Sequence, residues 1–304
     1  MNKRSRRIIP YLLGLLFLVG TVIYMLTGKP ASPHMVSPLP DEVAPNILTR
    51  LFGKKKDMNV LRTRLMQTVG TSEPNYSIFV YDIKNSASLG INETALHTGA
   101  SVNKLPILAV LYYLAQKGTI DLDSIVTIQK DDIQDYGTGT IRYQEPGIQY
   151  SIKTLATLMM KQSDNTAAYI LANHTIGMSM LQTILNGWGL TQTDMANNKI
   201  SANDLFLLMK KMYEERVANH ALTLDMFSAM KDTDFEDWIP AKLPAGTTVY
   251  HKIGTGVGVV HDIGIVVSPT TTYFVAFLFS NVKNEQETSA RIADLSKTIY
   301  DFLK

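Results

Sequence analysis

The sequence predicts an α+β domain whose mostly antiparallel sheet is formed from both ends of the domain around a helical middle, preceded by one N-terminal transmembrane helix. Segments rich in β-branched and aromatic residues lie near residue 76 and again after residue 247, with helix-like segments between them. An uncharged apolar run opens the chain. Strands that enclose a helical region in this way are expected to meet in one sheet with helices on its faces.

The apolar run covers residues 8–26 and follows a basic segment at residues 1–7. About 20 apolar residues in a helix span a bilayer core, and basic residues before the span favour a cytoplasmic N-terminus. The alternative is a cleaved signal peptide, which has a shorter apolar region and a small-residue cleavage site that "TGKPASPH" matches poorly. We therefore predict a single-pass protein of the cell membrane, with the domain that follows the span extracytoplasmic.

A proline-rich linker is predicted at residues 27–55. Five of the chain's 12 prolines fall there, which is typical of a semi-rigid, unpacked segment. The folded domain is predicted over residues 56–304. It begins with a helix-capable stretch at 56–70 and a strand at 76–83, followed by the turn "KNSASLG" and a second strand.

The middle of the domain has helical periodicity, and its last third returns to strand-like sequence. Helices are predicted at residues 102–117, 151–161, 166–174, 178–187, 201–218 and 222–231. Strands are predicted at residues 247–256, 259–269 and 272–282, and a final helix at 287–303.

The composition excludes several classes of function. The 29 basic residues nearly balance the 27 acidic ones, and without the four basic residues of segment 1–7 the balance is 25 against 27. We therefore expect no nucleic-acid partner. With no cysteines, disulfides and thiolate zinc sites are excluded. The six histidines are scattered without a carboxylate cluster, so we predict no metal and no cofactor.

Ser101 and Lys104 lie one turn apart at the start of the predicted helix 102–117. A serine hydroxyl needs an adjacent base to act as a nucleophile, and residues i and i+3 share a helix face. The free N–H groups and the dipole of a helix N-terminus favour a neutral lysine and an oxyanion. The two residues are thus a candidate nucleophile and base, with a simple helix cap as the alternative.

Two further segments are candidates for the same site. "SDN" places Ser163 and Asn165 at the junction of two predicted helices, and "HKIGTG" places Lys252 and two glycines at the end of a predicted strand. The alternative for the first is a helix cap, and the alternative for the second is a β-bulge or strand bend. Glycines in a strand also let its backbone approach a ligand closely.

In this order, S-x-x-K, S-D-N and the lysine–glycine segment resemble the signature of penicillin-recognising serine enzymes, the class A β-lactamases and penicillin-binding proteins. The resemblance covers about residues 56–304, including "YSIKTLATLMMKQSDNTAAYIL" and "VVHDIGIVVSP". It implies a β-lactamase/DD-peptidase-like fold and a monomer. As partners it implies a β-lactam or a peptidoglycan stem peptide.

The resemblance also implies a role for each motif residue. Ser101 would be acylated, Lys104 would accept its proton, and Ser163 would pass a proton to the leaving nitrogen. Lys252 would hold Ser163 and the substrate carboxylate electrostatically. The resemblance also implies four substrate-binding residues. Asn165 would bind a side-chain amide of the substrate, and Thr255 would bind the oxyanion through its backbone N–H, together with that of Ser101. Tyr136 would form an aromatic wall of the cleft, and His261 would bind the substrate carboxylate. For Tyr136, an ordinary loop tyrosine is an equal alternative.

The sequence departs from the family pattern at two places. Ile253 stands where the family usually has Thr or Ser, whose hydroxyl helps to bind the substrate carboxylate. Thr255 shares the strand face of Ile253 and is a candidate to substitute in part for that hydroxyl. The stretch 188–201 contains no counterpart of the class A glutamate that activates water for deacylation. Its only acid, Asp194, is interpreted as a turn residue, so deacylation is expected to be slow.

These observations predict a membrane-anchored, class A β-lactamase-like serine hydrolase that β-lactams or D-Ala-D-Ala-type peptides acylate at Ser101. One alternative within the same chemistry is a penicillin-binding DD-peptidase that acts on peptidoglycan. A second, from another class, is a non-catalytic cell-wall-binding protein of the same fold, which the isoleucine at position 253 would favour. A third, a partner-binding ectodomain, has no charged or amphipathic patch in the sequence to support it.

Overall fold

A computed structural model of the chain describes residues 56–70 and 75–304. The predicted segments 1–7, 8–26 and 27–55 lie outside these residues. Of the helices in the described ranges, none is long and apolar enough to cross a membrane.

The central sheet has five strands, all paired antiparallel, in the order β2-β1-β9-β8-β7. The strands are β1 (Asn75–Asp82), β2 (Ala87–Ile91), β7 (Thr248–Gly256), β8 (Val259–Val267) and β9 (Thr272–Ser280). Strand β1 pairs along its whole length with β9, so that Asn75 lies opposite Ser280. The prediction of an antiparallel sheet built from both ends of the domain is confirmed.

Helices fill the middle of the domain and cover both ends, as predicted. They are α1 (Met58–Val69), α2 (Lys104–Gln116), α3 (Ile152–Lys161), α4 (Asn165–Tyr169), α5 (Met178–Gly187), α6 (Ala202–Tyr213), α7 (His220–Ser228) and α8 (Glu285–Leu303), with a π-helical segment Ile170–Ile176 after α4. Helix α6 ends earlier than the predicted 201–218 because Glu215 adopts a left-handed φ of 54°.

Four short strands were not predicted, because two or three residues are too few to show alternation. They are β3 (His97–Thr98), β4 (Ile125–Thr127), β5 (Gln149–Ser151) and β6 (Lys199–Ile200). Strands β3 and β6 pair with each other, so the segment before Ser101 is tied to the loop before α6.

Side-chain caps fix where several helices begin. Ser151 accepts a hydrogen bond from Thr154 N at the start of α3, and Ser201 accepts one from Asp204 N at the start of α6. Each cap of this kind contributes about 1 kcal/mol to stability. The cap of α3 matters for the site because this helix leads directly to Ser163.

The sheet separates two apolar cores. On one face, Leu61 of α1 and Leu295 of α8 pack in a cluster with Phe277 of β9. On the other face, Leu108 of α2 belongs to a cluster that includes Phe274. Burial on both faces holds the helical middle against the sheet, so the N-terminus of α2 lies beside the edge strand β7.

Candidate active site

The turn that carries the predicted nucleophile is a single 3₁₀ turn, Ala100–Asn103, which runs directly into α2. Val102 N donates a hydrogen bond to Gly99 O at 3.1 Å, and Ala100 has a left-handed φ of 46°. A non-glycine residue in that region is strained and needs the surrounding structure to hold it. The strain therefore lies immediately before Ser101, whose side chain is half-buried.

Lys104 links the first two motifs through its amino group. Its Nζ lies 2.9 Å from Ser101 Oγ, 3.0 Å from Ser163 Oγ, 2.6 Å from Ser163 O and 2.7 Å from Asn165 Oδ1. Burial lowers the pKa of Lys104 to about 7, against a smaller opposing effect from Asp164. A neutral fraction is therefore present at physiological pH, as a general base requires.

The acylation rate of Ser101 by penicillin G should rise with pH through a midpoint near 7. The base is active only when neutral, and the pKa of Lys104 is lowered to about 7, so rising pH increases the active fraction. Acylation rates measured by mass spectrometry between pH 5 and 8.5 would test this. A rate that is flat over this range would contradict the role of Lys104 as base.

The S-D-N segment places three polar side chains at the junction of α3 and α4. Ser163 is buried and has a left-handed φ of 57°. Asp164 caps α4 by accepting from Ala167 N at 2.9 Å, and its second oxygen accepts from Ile141 N at 2.9 Å. The helix-cap interpretation thus applies to Asp164, which leaves Ser163 and Asn165 to face Lys104.

A loop over the S-D-N segment carries Tyr136. Asn165 Nδ2 donates to Tyr136 O at 3.0 Å, and Thr138 Oγ1 donates to Ser163 O at 2.9 Å. The Tyr136 side chain is 62% exposed. The structure therefore places this residue beside the site through its backbone, with its ring free at the surface.

Strand β7 brings the third motif to the nucleophile turn. A Cβ on Gly254 would lie 2.8 Å from Val102 Cγ2 and 3.1 Å from Gly99 O, so only glycine allows this approach. Lys252, two residues earlier, is buried. Burial and then the charge of Lys104 lower the pKa of Lys252 well below 10.5, with Asp262 opposing. The effect of Lys104 on the pKa of Lys252 is consistent with amino groups close enough to interact electrostatically.

The contacts of Lys252 differ from those implied by the family resemblance. Within the described residues, its Nζ donates to Ile253 O at 3.1 Å, whereas the resemblance implies that it holds Ser163. Ile253 is buried in the core beneath α1 and α8. Thr255, one residue beyond Gly254, is half-buried and close to the surface end of the strand.

His261 requires a correction. It was expected to assist with a substrate carboxylate, but its side chain is 0% exposed. Its Nε2 lies 2.8 Å from Thr98 O, and its Nδ1 accepts from Phe279 N at 3.1 Å. Burial lowers the pKa of His261 to about 4, so the ring is neutral and carries no charge for an anion. Its contact with Thr98 instead supports the segment before Ser101.

The stretch 188–201 contacts the nucleophile turn through a residue that the sequence did not single out. Asn198 O accepts from Gly99 N at 2.9 Å, and its side chain is hydrogen-bonded to Asn103. Asp194 accepts from Asn197 N at 2.9 Å and from Asn197 Nδ2 at 2.8 Å, which is the geometry of a turn residue. The only signal for Asn198 is its position in this polar loop.

In the described residues, Lys104, whose pKa is lowered, lies within hydrogen-bonding distance of the hydroxyl groups of Ser101 and Ser163. The glycine-containing strand β7 packs against this group. This arrangement can transfer the proton of Ser101 to Lys104 and onward through Ser163. In the ranges 56–70 and 75–304, no group of three or more His, Asp or Glu side chains could hold a metal ion.

Sequence comparison places the chain among serine hydrolases. It is 23% identical over 279 residues to a β-lactamase of Bacteroides uniformis, covering 83% of this chain and 94% of that protein. It is 26% identical over 255 residues to β-lactamase 3 of Bacillus cereus, covering 76% of this chain and 78% of that one.

Solved structures agree with this placement. A mutant of PBP-A, solved as an acyl-enzyme complex with penicillin G, superposes with a TM-score of 0.75 at 27% identity and covers 80% of this chain and 96% of PBP-A. A β-lactamase from Chitinophaga pinensis shares the fold with a TM-score of 0.75 at 21% identity, covering 80% and 99% of the two chains. A model of the Beta-lactamase enzyme family matches residues 61–303. The chain is therefore a member of the Beta-lactamase enzyme family, and a serine hydrolase.

Proposed function

We propose that this protein is acylated at Ser101 by β-lactams or by the D-Ala-D-Ala-type peptides that they mimic, and that the acyl-enzyme hydrolyses slowly. The observation that carries the proposal is the position of Lys104 Nζ, which lies within 3.0 Å of the side-chain oxygens of Ser101, Ser163 and Asn165. A mutant of PBP-A, which is 27% identical to this chain, was solved as an acyl-enzyme complex with penicillin G.

The acylation step follows from these contacts. Ser101 Oγ attacks the carbonyl carbon while its proton moves to Lys104 Nζ. The family resemblance implies that the backbone N–H groups of Ser101 and Thr255 stabilise the oxyanion. The C–N bond then breaks. Ser163 gives its hydroxyl proton to the leaving nitrogen and takes a proton from Lys104, so the lysine returns to its neutral form. Each oxyanion donor contributes about 3–4 kcal/mol to such a step.

Lys252 is proposed to attract the carboxylate that β-lactams and stem peptides share. Burial and the nearby Lys104 lower its pKa well below 10.5, which means that it lacks sufficient counter-charge in the free protein. A bound carboxylate would supply that charge and favour the protonated lysine. Because Ile253 offers no hydroxyl at the surface of the strand, Lys252 and Thr255 would carry more of this binding than in relatives with Thr or Ser.

Slow deacylation is proposed from the loop 188–201. A water molecule needs a general base to attack the ester on Ser101, and this loop contains no glutamate. Its one acid, Asp194, is hydrogen-bonded to Asn197 in a turn. This favours a penicillin-binding protein that traps β-lactams, with transfer to water or to an amine as the slower second step.

Incubation with penicillin G should give one covalent adduct, located at Ser101 by peptide mass spectrometry, and Ser101→Ala should give none. With a chromogenic cephalosporin, the same protein should show a burst of about one equivalent followed by slow turnover, because the ester forms faster than it breaks. Many rapid turnovers per molecule would contradict slow deacylation. A folded protein without an adduct would overturn acylation itself.

Two alternative functions, a DD-peptidase and a non-catalytic cell-wall-binding protein, differ in what Ser101→Ala should change. A DD-peptidase is favoured by the loop without glutamate, and it predicts release of D-alanine from a stem-peptide substrate at a rate that Ser101→Ala abolishes. A non-catalytic cell-wall-binding protein is favoured by the buried Ile253, and it predicts peptidoglycan binding that Ser101→Ala leaves intact.

We also propose that the protein is a monomer, anchored in the membrane by residues 8–26 with an extracytoplasmic domain. Membrane fractionation and protease accessibility would test the anchor and the location of the domain.

A further inference from the structure

A loop at residues 230–239, called the edge loop below, lies along the outer edge of β7. His251 N on β7 donates to Met230 O at 2.8 Å, and Asp234 N donates to Lys161 O at 3.1 Å. Lys161 is the last residue of α3, two positions before Ser163. The edge loop therefore contacts both the strand that carries Lys252 and the helix that leads to Ser163.

His251 joins this loop to the sheet. Its Nδ1 lies 2.9 Å from Asp262 Oδ1 on β8, and both side chains are fully buried. Its Nε2 lies 3.4 Å from Glu236 Oε1 of the edge loop. The other oxygen of Asp262 accepts from Ile239 N at 3.0 Å. A Cβ on the cross-strand residue Gly264 would lie 2.5 Å from Tyr250 O and 2.7 Å from His251 Cβ, so glycine allows β8 to pack closely against this part of β7.

The charges around His251 hold it in the protonated form. Burial opposes a charged imidazole, but Asp262 and Glu236 outweigh it and raise the pKa of His251 to about 9. Partial burial also opposes ionisation of Glu236, yet its bonds from His251 and Thr233 lower its pKa to about 2. An imidazolium between two carboxylates is thus the form present at neutral pH.

The edge loop covers Lys252 through Phe235. The ring centre of Phe235 lies 5.6 Å from Lys252 Nζ. Phe235 N donates to Thr233 Oγ1 at 3.2 Å, and Thr233 in turn donates to Glu236 Oε1 from its backbone at 2.7 Å and its hydroxyl at 2.9 Å. Phe235 therefore lies in the chain between two residues that are hydrogen-bonded to each other, Thr233 and Glu236, and Glu236 also contacts His251.

We propose that His251 is a positioning residue for acylation of Ser101: by joining Asp262 of the sheet to Glu236 of the edge loop, it holds Phe235 over Lys252 and so fixes the position of the Lys252 amino group in the site. The proposal rests on the proposed function, because it concerns the same acylation step. His251 itself lies on the face of β7 opposite Lys252 and Gly254, so it acts through its neighbours and does not touch the substrate.

The pH profile of acylation tests this role. The wild-type rate with penicillin G should rise near pH 7 and fall again near pH 9, because the His251 bridge persists below its raised pKa and is lost above it. His251→Gln should acylate about tenfold more slowly at pH 8, as expected for a small misalignment, and should lack the fall near pH 9. A folded His251→Gln protein with the wild-type rate and the same fall would overturn the proposal.

A second variant and a second readout keep the test independent of folding and of acylation. Glu236→Gln removes the charge from an exposed side chain, and Glu285→Gln removes one from the exposed start of α8 as the matched control. Amide hydrogen exchange in residues 230–239 should quicken in Glu236→Gln but not in Glu285→Gln. Unchanged exchange in both variants would overturn the role of the His251–Glu236 contact in holding the edge loop. A wild-type protein without any adduct would refute the proposed function, while the exchange experiment would still decide the role of the bridge in holding the loop.

Discussion

Replacing Lys104 by methionine should lower the rate of Ser101 acylation by a factor of about 10²–10⁴, the range in which a general base contributes. Methionine has a similar length but no nitrogen to accept the proton from Ser101 Oγ, which lies 2.9 Å from Lys104 Nζ. Adduct formation with penicillin G, followed by mass spectrometry, measures the loss. Lys117→Met is the matched control, because Lys117 is exposed at the opposite end of the same helix.

A third variant separates base catalysis from charge. Lys104→Arg keeps the positive charge, but arginine does not release its proton at accessible pH. If Lys104 acts as a base, the arginine variant should be as slow as the methionine variant. An arginine variant that reacts at close to the wild-type rate would mean that Lys104 contributes charge alone and that the base lies elsewhere, with the buried Lys252 as the next candidate.

Gly254→Ala should lower both the stability of the domain and the acylation rate. The added methyl group would lie 2.8 Å from Val102 Cγ2 and 3.0 Å from Val102 N, so strand β7 and the nucleophile turn must separate. Overpacking of this kind costs about 1–3 kcal/mol, and a displacement of about 1 Å in a catalytic group can cost about 10²-fold in rate. Thermal denaturation and adduct formation measure the two effects.

The same strand supplies the control for this substitution. A Cβ on Gly256 would meet no atom within 4 Å, so Gly256→Ala tests the change from glycine to alanine without a clash. We expect that variant to differ little from wild type in melting temperature and acylation rate. Equal behaviour of the two alanine variants would show that the close approach of β7 to Val102 has no role in the reaction.

The chemistry of the site could be predicted from sequence because each of its motifs is local. Ser101 and Lys104 are three residues apart, and a helical turn brings them together wherever the helix lies. The contact of Lys104 with Ser163 and Asn165 joins segments about 60 residues apart, and only the combined order of the motifs indicated it. The sheet could be predicted for a similar reason, since its strands have clear composition at both ends of the domain.

The environment of the lysine-bearing strand could not be predicted in the same way. Strand β8 is buried almost throughout, so alternation did not reveal that His261 faces the core while Asp262 faces the other side. The bridge from His251 to Glu236 connects a strand to an irregular loop that has no periodic signal. The wrong prediction for His261 and the missed contact of His251 with Glu236 both concern polar residues. Their partners are set by tertiary packing, which no local pattern in a single sequence indicates.

The pairing of β1 with β9 has a consequence for how the protein is made. Asn75 meets Ser280, so the strand next to the first one is synthesised after the other four strands of this sheet. Contacts between residues so distant in the chain form slowly, because the intervening segment must be ordered before they are gained. In the sheet, β9 is the strand that joins β1 to β8 and β7, so we expect a chain without β9 to lack the connection that brings β7 beside the turn of Ser101. The proposed acylation of Ser101 should therefore become possible only after β9 has been synthesised and has paired with β1.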